Sequence, residues 1–376
     1  MLRITNTAIH HLRSPSDRII KTSWGMMSER HAIFIGLQSS DGVWGWGESW
    51  VNFPIWSPWA RLAAFEQGYF PYLKNREVSD VRQFMVEMTR VFMGPAVQAA
   101  VTGATIAELC AVELALWDLE ARTRKLPLSR LWFDDPAREV EVYASGINSP
   151  LPWEDIDAML EQGVRFFKLK VGFGEEDVPN IKALAKYLAD HGPADARIAI
   201  DTNRHWTIDQ ALGWLPILRD HNVLWLEEAL KPSEEAHYPR LRDPHVVTLA
   251  AGENVWLPAT ASATTLVEFP VDILQPDVTK NCSASIALDV IGLARGKQKV
   301  VFPHYLGSAV GQAASIHLAA GCSSPFGPVP LVEWDINPNS LRTDLLGPEF
   351  VIRKGRMQIP NAPGLGWPVD AAAFAD

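Results

Sequence analysis

From about residue 138 onward the chain repeats one pattern, a short apolar run followed by a polar or helical stretch. The runs are VEVYASG, RFFKLKV, RIAID, VLWLEE, VVTLAAGE, VDILQPD, KVVFPH and VPLVE. Unbroken apolar runs, as opposed to alternation, are expected of strands covered on both faces in a parallel sheet. Connecting stretches such as EEDVPNIKALAKYLADHG carry helical spacing, so eight β/α units closing into a barrel are the economical solution. The front of the chain is different. HAIFIGLQSSDGVWGWGE sets β-branched and aromatic residues on both sides of Ser40-Asp41-Gly42, the composition of a hairpin turn. Ile106, Leu109, Val112, Leu116 and Leu119 recur at three or four residues and predict an amphipathic helix that Pro127 ends. Between them, WVNFPIWSPW holds two prolines and three tryptophans and is expected to be an ordered loop. The tail, including FVIRKGRMQIPNAPGLGWPVD, reads as short strands and turns packing back on the front portion. The expected organisation is α/β: an α+β unit over residues 1–133, a modified TIM (β/α) barrel over 134–330, and a closing segment over 331–376 that carries the last barrel strand.

At 376 residues and 47% hydrophobic, the chain can bury two cores. Lys and Arg number 34 against 44 Asp and Glu, and the resulting net charge of −10 gives no broad attraction to nucleic acid or anionic lipid. A small-molecule partner is the better expectation. No apolar run is long enough to span a membrane and the opening MLRITNTAIHHLRSPSDR has no apolar signal core, so a cytoplasmic protein is expected. Cys110, Cys282 and Cys322 are widely spaced and read as buried thiols. Gly172-Phe173-Gly174 lacks the third glycine of a nucleotide loop, and neither G-x-S-x-G nor H-E-x-x-H occurs.

The informative positions lie at the ends of the strand candidates. Lys168 and Lys170, Asp201, Glu227, Glu253, Asp277 and His304 fall there, and from Lys170 onward the separations are 31, 26, 26, 24 and 27 residues, about one β/α unit each. Strand C-terminal ends form the catalytic mouth of a barrel. Asp201, Glu227 and Glu253 offer three hard oxygen donors from successive strands, a set that suits Mg²⁺ better than a soft or imidazole-seeking metal. Lys168 and Lys170 share one strand face, with Leu169 opposite, so both should point inward. Two adjacent ammonium groups are expected to lower each other's pKa and favour a neutral amine as a base. Asp277 and His304 lie on neighbouring strand ends, where the carboxylate would orient the imidazole. Glu333 follows His304 by 29 residues and falls on the eighth strand candidate. Bases on two sides of a metal-held oxyanion suit abstraction of a proton next to a carboxylate, with the enediolate stabilised by the ion and by Lys168. Reprotonation on the opposite face then gives racemisation, and loss of a β-hydroxyl gives dehydration.

These residues resemble the enolase superfamily, specifically its mandelate racemase subgroup, over nearly the whole chain. SDGVWGWGE and IAELCAVELALWDLEAR are similar to the capping domain, FKLK to the Lys-x-Lys motif, IAIDTN, WLEEAL and AGEN to the three metal-ligand strands, and QPDVTKN and FPHYLGSAVG to the dyad strands. The resemblance implies an α+β cap completed by the C-terminal segment. It implies Mg²⁺ on Asp201, Glu227 and Glu253, Lys170 as one base, Lys168 near the substrate carboxylate, Asp277 with His304 as the opposing dyad, and Glu333 hydrogen-bonded to substrate. Asn203, in IAIDTN, joins the expected substrate contacts. The usual proline after Glu-Glu is Ala229 here and the usual Gly-Gly reads Asn281-Cys282-Ser283, departures at structural positions. Asp277 stands where the muconate lactonizing and dipeptide epimerase subgroups carry lysine, with Lys280 three residues on, which favours the racemase-like subgroup. Cap loops over residues 14–28 and 50–60 would close on the mouth. Their Trp24, Trp50 and Trp56, with Met26, Met27, Phe53 and Trp59, either line the substrate or pack the lid.

The leading expectation is a Mg²⁺-dependent dehydratase of an acid sugar or related 2-hydroxy acid, acting on a small carboxylate and assembled from identical copies. A racemase or epimerase of a 2-hydroxy acid uses the same residues. A reading of another class is a ligand-binding barrel without turnover, in which Lys170→Ala changes no rate.

Overall fold

The computed structural model describes residues 1–22, 25–243, 246–255 and 263–366. Four strands, β1 (Leu2–Thr22), β2 (Gly25–Ser39), β3 (Trp44–Ser49) and β4 (Glu77–Val78), form an antiparallel sheet in the order β3-β2-β1-β4. The hairpin about Ser40-Asp41-Gly42 is there, but the strands run much further than the apolar pattern indicates. Most of the 14–28 stretch, expected as a loop, continues the β1/β2 ladder, with an irregularity between Pro15 and Ile20. Local composition does not announce this because the ladder is sustained by cross-strand hydrogen bonding and not by clean alternation.

The helix Thr102–Thr123 packs on β3. The WGWG sequence explains the contact: Trp44 and Trp46 lie on one side of the strand, and the glycines on the other let the helix backbone approach. A Cβ on Gly47 would sit 2.0 Å from the Ala111 carbonyl oxygen. Asp118 of this helix accepts from Trp46 N at 2.8 Å and Leu365 N at 2.7 Å, joining the cap to the tail. The expected 50–60 loop ends sooner than its prolines suggest. A helix spans Ser57–Ala64 with Pro58 in its first turn, where proline removes no intrahelical hydrogen bond.

All eight strand candidates of the second half form: β5 (Glu139–Ile147), β6 (Phe166–Lys170), β7 (Arg197–Asp201), β8 (Trp225–Glu227), β9 (Thr248–Ala251), β10 (Ile273–Leu274), β11 (Val300–Val301) and β12 (Leu331–Asp335). They are parallel in sequential order, and β12 pairs with β5. Between β11 and β12 the closure is made by other bonds: Glu333 accepts from Tyr305 N, and its carbonyl from the Gln312 amide, both at 3.0 Å. The interior confirms a closed barrel. Tyr143, Phe166, Ala199, Trp225, Ala250, Ile273, Phe302 and Leu331, one from or beside each strand, make one buried cluster. A last strand, β13 (Arg356–Gln358), pairs antiparallel with β5. The fold is thus a modified TIM barrel with a capping sheet and helices. Among the described residues, no helix is long and apolar enough to cross a membrane. Cys110 and Cys282 are buried and Cys322 half-buried.

Glu48 at the end of β3 locks the cap to the barrel. Its carboxylate accepts from Tyr305 Oη at 2.7 Å, Gly311 N at 2.9 Å and Ser308 N at 3.1 Å. The helix Ala309–Ala319 that follows is buried along its whole length and carries His317. His317 Nδ1 accepts from Ser129 N at 3.2 Å, so a proton there would set two donors face to face. Burial pushes this imidazole down to about 4. Because the folded value lies below the unfolded one, the unfolded chain binds the extra proton, and stability falls as pH drops from about 6.5 toward 4. Denaturant titrations at pH 7 and pH 4.5 should show His317→Gln losing less stability on acidification than the parent, by a difference on the order of 2 kcal/mol. Equal losses would contradict the assignment.

Candidate active site

The barrel register brings the polar strand ends to one level. Lys170 lies opposite Asp201 across β6/β7, and Asp201 opposite Glu227 across β7/β8. Glu253 follows β9 by two residues. Gly252 before it allows a close approach that a side chain would block, since a Cβ would lie 2.5 Å from Gln275 N. Asp201, Glu227 and Glu253 are all buried, and one carboxylate oxygen from each lies within 4.8 Å of the others. Such a cluster of hard oxygens has the composition and spacing to hold a divalent cation of the Mg²⁺ type.

Each carboxylate is matched by a cation. Lys168 Nζ lies 2.5 Å from Glu227 Oε1 and 2.7 Å from Glu333 Oε1. Lys170 pairs with Asp201 and is 3.0 Å from Asn203 Oδ1. Lys280 Nζ lies 2.7 Å from Glu253 Oε2, and His304 Nε2 lies 3.1 Å from the same oxygen. Nδ1 of His304 meets Asp277 Oδ2 at 2.9 Å, the expected dyad geometry. Asp277 is itself fixed by Thr279, whose backbone N and Oγ donate to Oδ1 at 2.8 and 2.7 Å. Glu333 also accepts from Ser145 Oγ at 2.5 Å. The predicted residues Lys168, Lys170, Asp201, Asn203, Glu227, Glu253, Asp277, His304 and Glu333 therefore share one enclosed mouth.

The electrostatics correct one expectation. Lys168 does depress Lys170, and burial acts in the same direction, but the facing carboxylates outweigh both. Lys170 is raised above the ordinary lysine value against its burial, chiefly by Asp201, and Lys168 is raised well above it by Glu227 and Glu333. The strand pattern exposes the lysine pair but not the carboxylates that adjoining strands bring to within ion-pair distance. His304 is likewise pushed up to about 9: burial opposes this, while Glu253, Glu333 and Asp277 overcome it. Burial raises Glu227 to about 7, assisted by Asp201 and Glu333. Glu253 moves the other way against its burial, because His304 and Lys280 hold it below the usual carboxylate range.

The cap supplies fewer contacts than expected. Trp50 N donates to the Thr279 carbonyl at 3.0 Å, and its ring lies 4.6 Å from Lys280 Nζ, so this tryptophan does border the site. Trp56 is 66% exposed at the head of the helix Ser57–Ala64. Trp24 lies outside the described residues. Residues beyond the predicted site set are Lys280, Gln275, which donates to Glu227 Oε2 at 2.7 Å, and Trp225, whose Nε1 reaches the same oxygen at 3.0 Å. Lys280 had a sequence signal in its place three residues after Asp277; Trp225 had none beyond alternation on β8.

Comparison with known proteins agrees with this architecture. Residues 4–132 match the mandelate racemase / muconate lactonizing enzyme N-terminal domain, and residues 154–373 match the enolase C-terminal domain-like family. A D-galactarolactone cycloisomerase of Agrobacterium fabrum is 26% identical, covering 100% of this chain and 98% of its own. An arabinonate dehydratase of Saccharolobus solfataricus is 24% identical over 90% of this chain and 88% of its own. A solved mandelate racemase/muconate lactonizing enzyme of Bordetella bronchiseptica superposes with a TM-score of 0.87 at 30% identity, covering 99% of both chains. The chain therefore belongs to the enolase superfamily, in the family of mandelate racemase and muconate lactonizing enzyme.

Proposed function

We propose that this protein abstracts the α-proton of an acid-sugar carboxylate and eliminates a β-hydroxyl, making it a Mg²⁺-dependent acid-sugar dehydratase. The observation that carries the proton abstraction is the placement of Lys170 and the His304–Asp277 dyad on well-separated strands, β6 and just past the end of β11, around one carboxylate cluster. Acid-sugar dehydratases stand among the relatives, beside cycloisomerases, and support a reading of elimination. Asp201, Glu227 and Glu253 would hold the ion, and Mg²⁺ would supply there positive charge that makes the α-proton of a bound carboxylate more acidic.

The chain's own groups do the rest. Lys168, enclosed and paired with Glu227 and Glu333, offers an ammonium to the charge that develops on the substrate carboxylate. Lys170 or His304, whichever faces the α-proton, takes it after giving up the proton that the facing carboxylates hold on it. Asp277 holds Nδ1 of His304 and leaves Nε2 aimed into the mouth, where as an acid it can protonate the departing hydroxyl. Glu48 and Trp50 keep the cap seated over the barrel and restrict water.

Screening acid sugars with Mg²⁺ and assaying 2-keto-3-deoxy acid as its semicarbazone tests the reading. A keto-deoxy product supports it; inversion of a 2-hydroxy acid with no such product would replace it with racemisation. Lys170→Ala and His304→Asn should each lower turnover by roughly 10²-fold or more. Turnover close to wild type in both would contradict the two-base assignment. Glu227→Gln should weaken Mg²⁺ binding by roughly tenfold or more in calorimetric titration, through loss of one charged oxygen donor. Activity unaffected by EDTA would contradict the metal assignment.

A further inference from the structure

The two oxygens of Glu227 are held in different ways. Oε2 accepts from two uncharged donors, Gln275 Nε2 at 2.7 Å and Trp225 Nε1 at 3.0 Å. Among the described residues Oε1 accepts from Lys168 Nζ alone, at 2.5 Å. A carboxylate oxygen has room for about two hydrogen bonds, so Oε2 is filled and Oε1 is not.

Both uncharged donors are buried and fixed by their surroundings. Trp225 lies two residues before Glu227 on β8 and shares its inward face. Its ring packs in the barrel interior against Tyr143, Phe302 and Phe326, with centroids 5.3, 5.5 and 5.7 Å away. Gln275 follows β10, and its backbone N donates to the Ala251 carbonyl at 3.0 Å. The Gln275 amide cannot turn over, because that would set its oxygen against Oε2 of Glu227. In the orientation it keeps, its own Oε1 is buried with no partner among the described residues. An orphaned buried acceptor is costly, and an apolar side chain at 275 would avoid that cost. The use of the amide therefore lies in what its nitrogen holds.

The consequence concerns which cation fits. An arriving divalent ion repels the Lys168 ammonium far more strongly than an uncharged indole or amide N–H. Oε1 is then the oxygen that opens to the ion, and Oε2 stays with its two donors. Mg²⁺ demands a compact octahedron and suits one oxygen per carboxylate, whereas Ca²⁺ takes about six to eight oxygens and often uses both of one carboxylate.

We infer that Trp225 and Gln275 set the ion selectivity of the cluster: by keeping Oε2 of Glu227 they limit it to one oxygen and favour Mg²⁺ over Ca²⁺. They are positioning residues, acting through Glu227. This rests on the proposed reading of Asp201, Glu227 and Glu253 as the ligands of the ion.

The test is calorimetric titration of the full chain, stripped with EDTA, with Mg²⁺ and separately with Ca²⁺, for wild type, Gln275→Met and Trp225→Phe. Methionine keeps the length of glutamine and phenylalanine keeps an aromatic ring in the barrel interior, each without the N–H. A melting curve of each metal-free variant checks its folding, and if one does not fold the other decides. Wild type should bind Mg²⁺ more tightly than Ca²⁺, and each variant should shift the ratio of the two dissociation constants toward Ca²⁺ by roughly tenfold, the scale of losing a partner that orients a ligand. Disturbed packing alone would weaken both ions alike and leave the ratio where it was. An unchanged ratio in the folded variants, or a wild type that binds Ca²⁺ as tightly as Mg²⁺, would overturn the inference and leave the metal site standing. A wild type that binds neither ion would overturn the metal reading itself, and this inference with it.

Discussion

Charge compensation in the barrel mouth is the constraint on which the rest of the site depends. Three carboxylates enclosed within 4.8 Å of one another cannot persist without cations. The chain answers with Lys168 and Lys170 from β6, Lys280 from the turn after β10 and His304 from the segment after β11. The result is a network in which no charge is independent. Lys168 bridges Glu227 to Glu333, and His304 bridges Glu253 to Asp277. The same groups that make the acidic cluster tolerable are the ones positioned for proton transfer, so stability and chemistry draw on one set of contacts.

The cap matters because it completes this enclosure from a remote part of the sequence. Glu48 is held by the backbone and tyrosine of the segment after His304, and Asn52 donates to the Leu306 carbonyl at 2.8 Å. The loop that carries the dyad histidine is therefore fixed by the cap. Movement of one without the other would break buried hydrogen bonds, a reason to regard cap seating and histidine orientation as coupled. Arg30 extends the same coupling to the end of β12.

Much of this was legible in the residues themselves. A strand shows its face at every second position, so Lys168 and Lys170 could be read as inward from FKLK alone, and recurrence of one acidic or basic group per β/α unit placed Asp201 through His304 on the barrel mouth. What stayed hidden depends on tertiary approach. Nothing in the lysine strand discloses that Glu227 and Glu333 will press on Lys168, and so its charge state ran opposite to expectation. Arg30 meets Asp335 only when the cap docks. Composition placed Trp56 in a loop, whereas it heads the helix Ser57–Ala64 and is exposed. The long β1/β2 hairpin was missed because its ladder, and not its apolar pattern, defines it.

The most direct measurement is proton NMR of the Mg²⁺-loaded protein in D₂O with acid sugars, following each α-proton in wild type and in the Lys170→Ala and His304→Asn variants. Loss of an α-proton signal in wild type, with exchange persisting in one of the two single-base variants, is the predicted result. Product formed while the α-proton is retained, or no exchange from any acid sugar, would contradict the account.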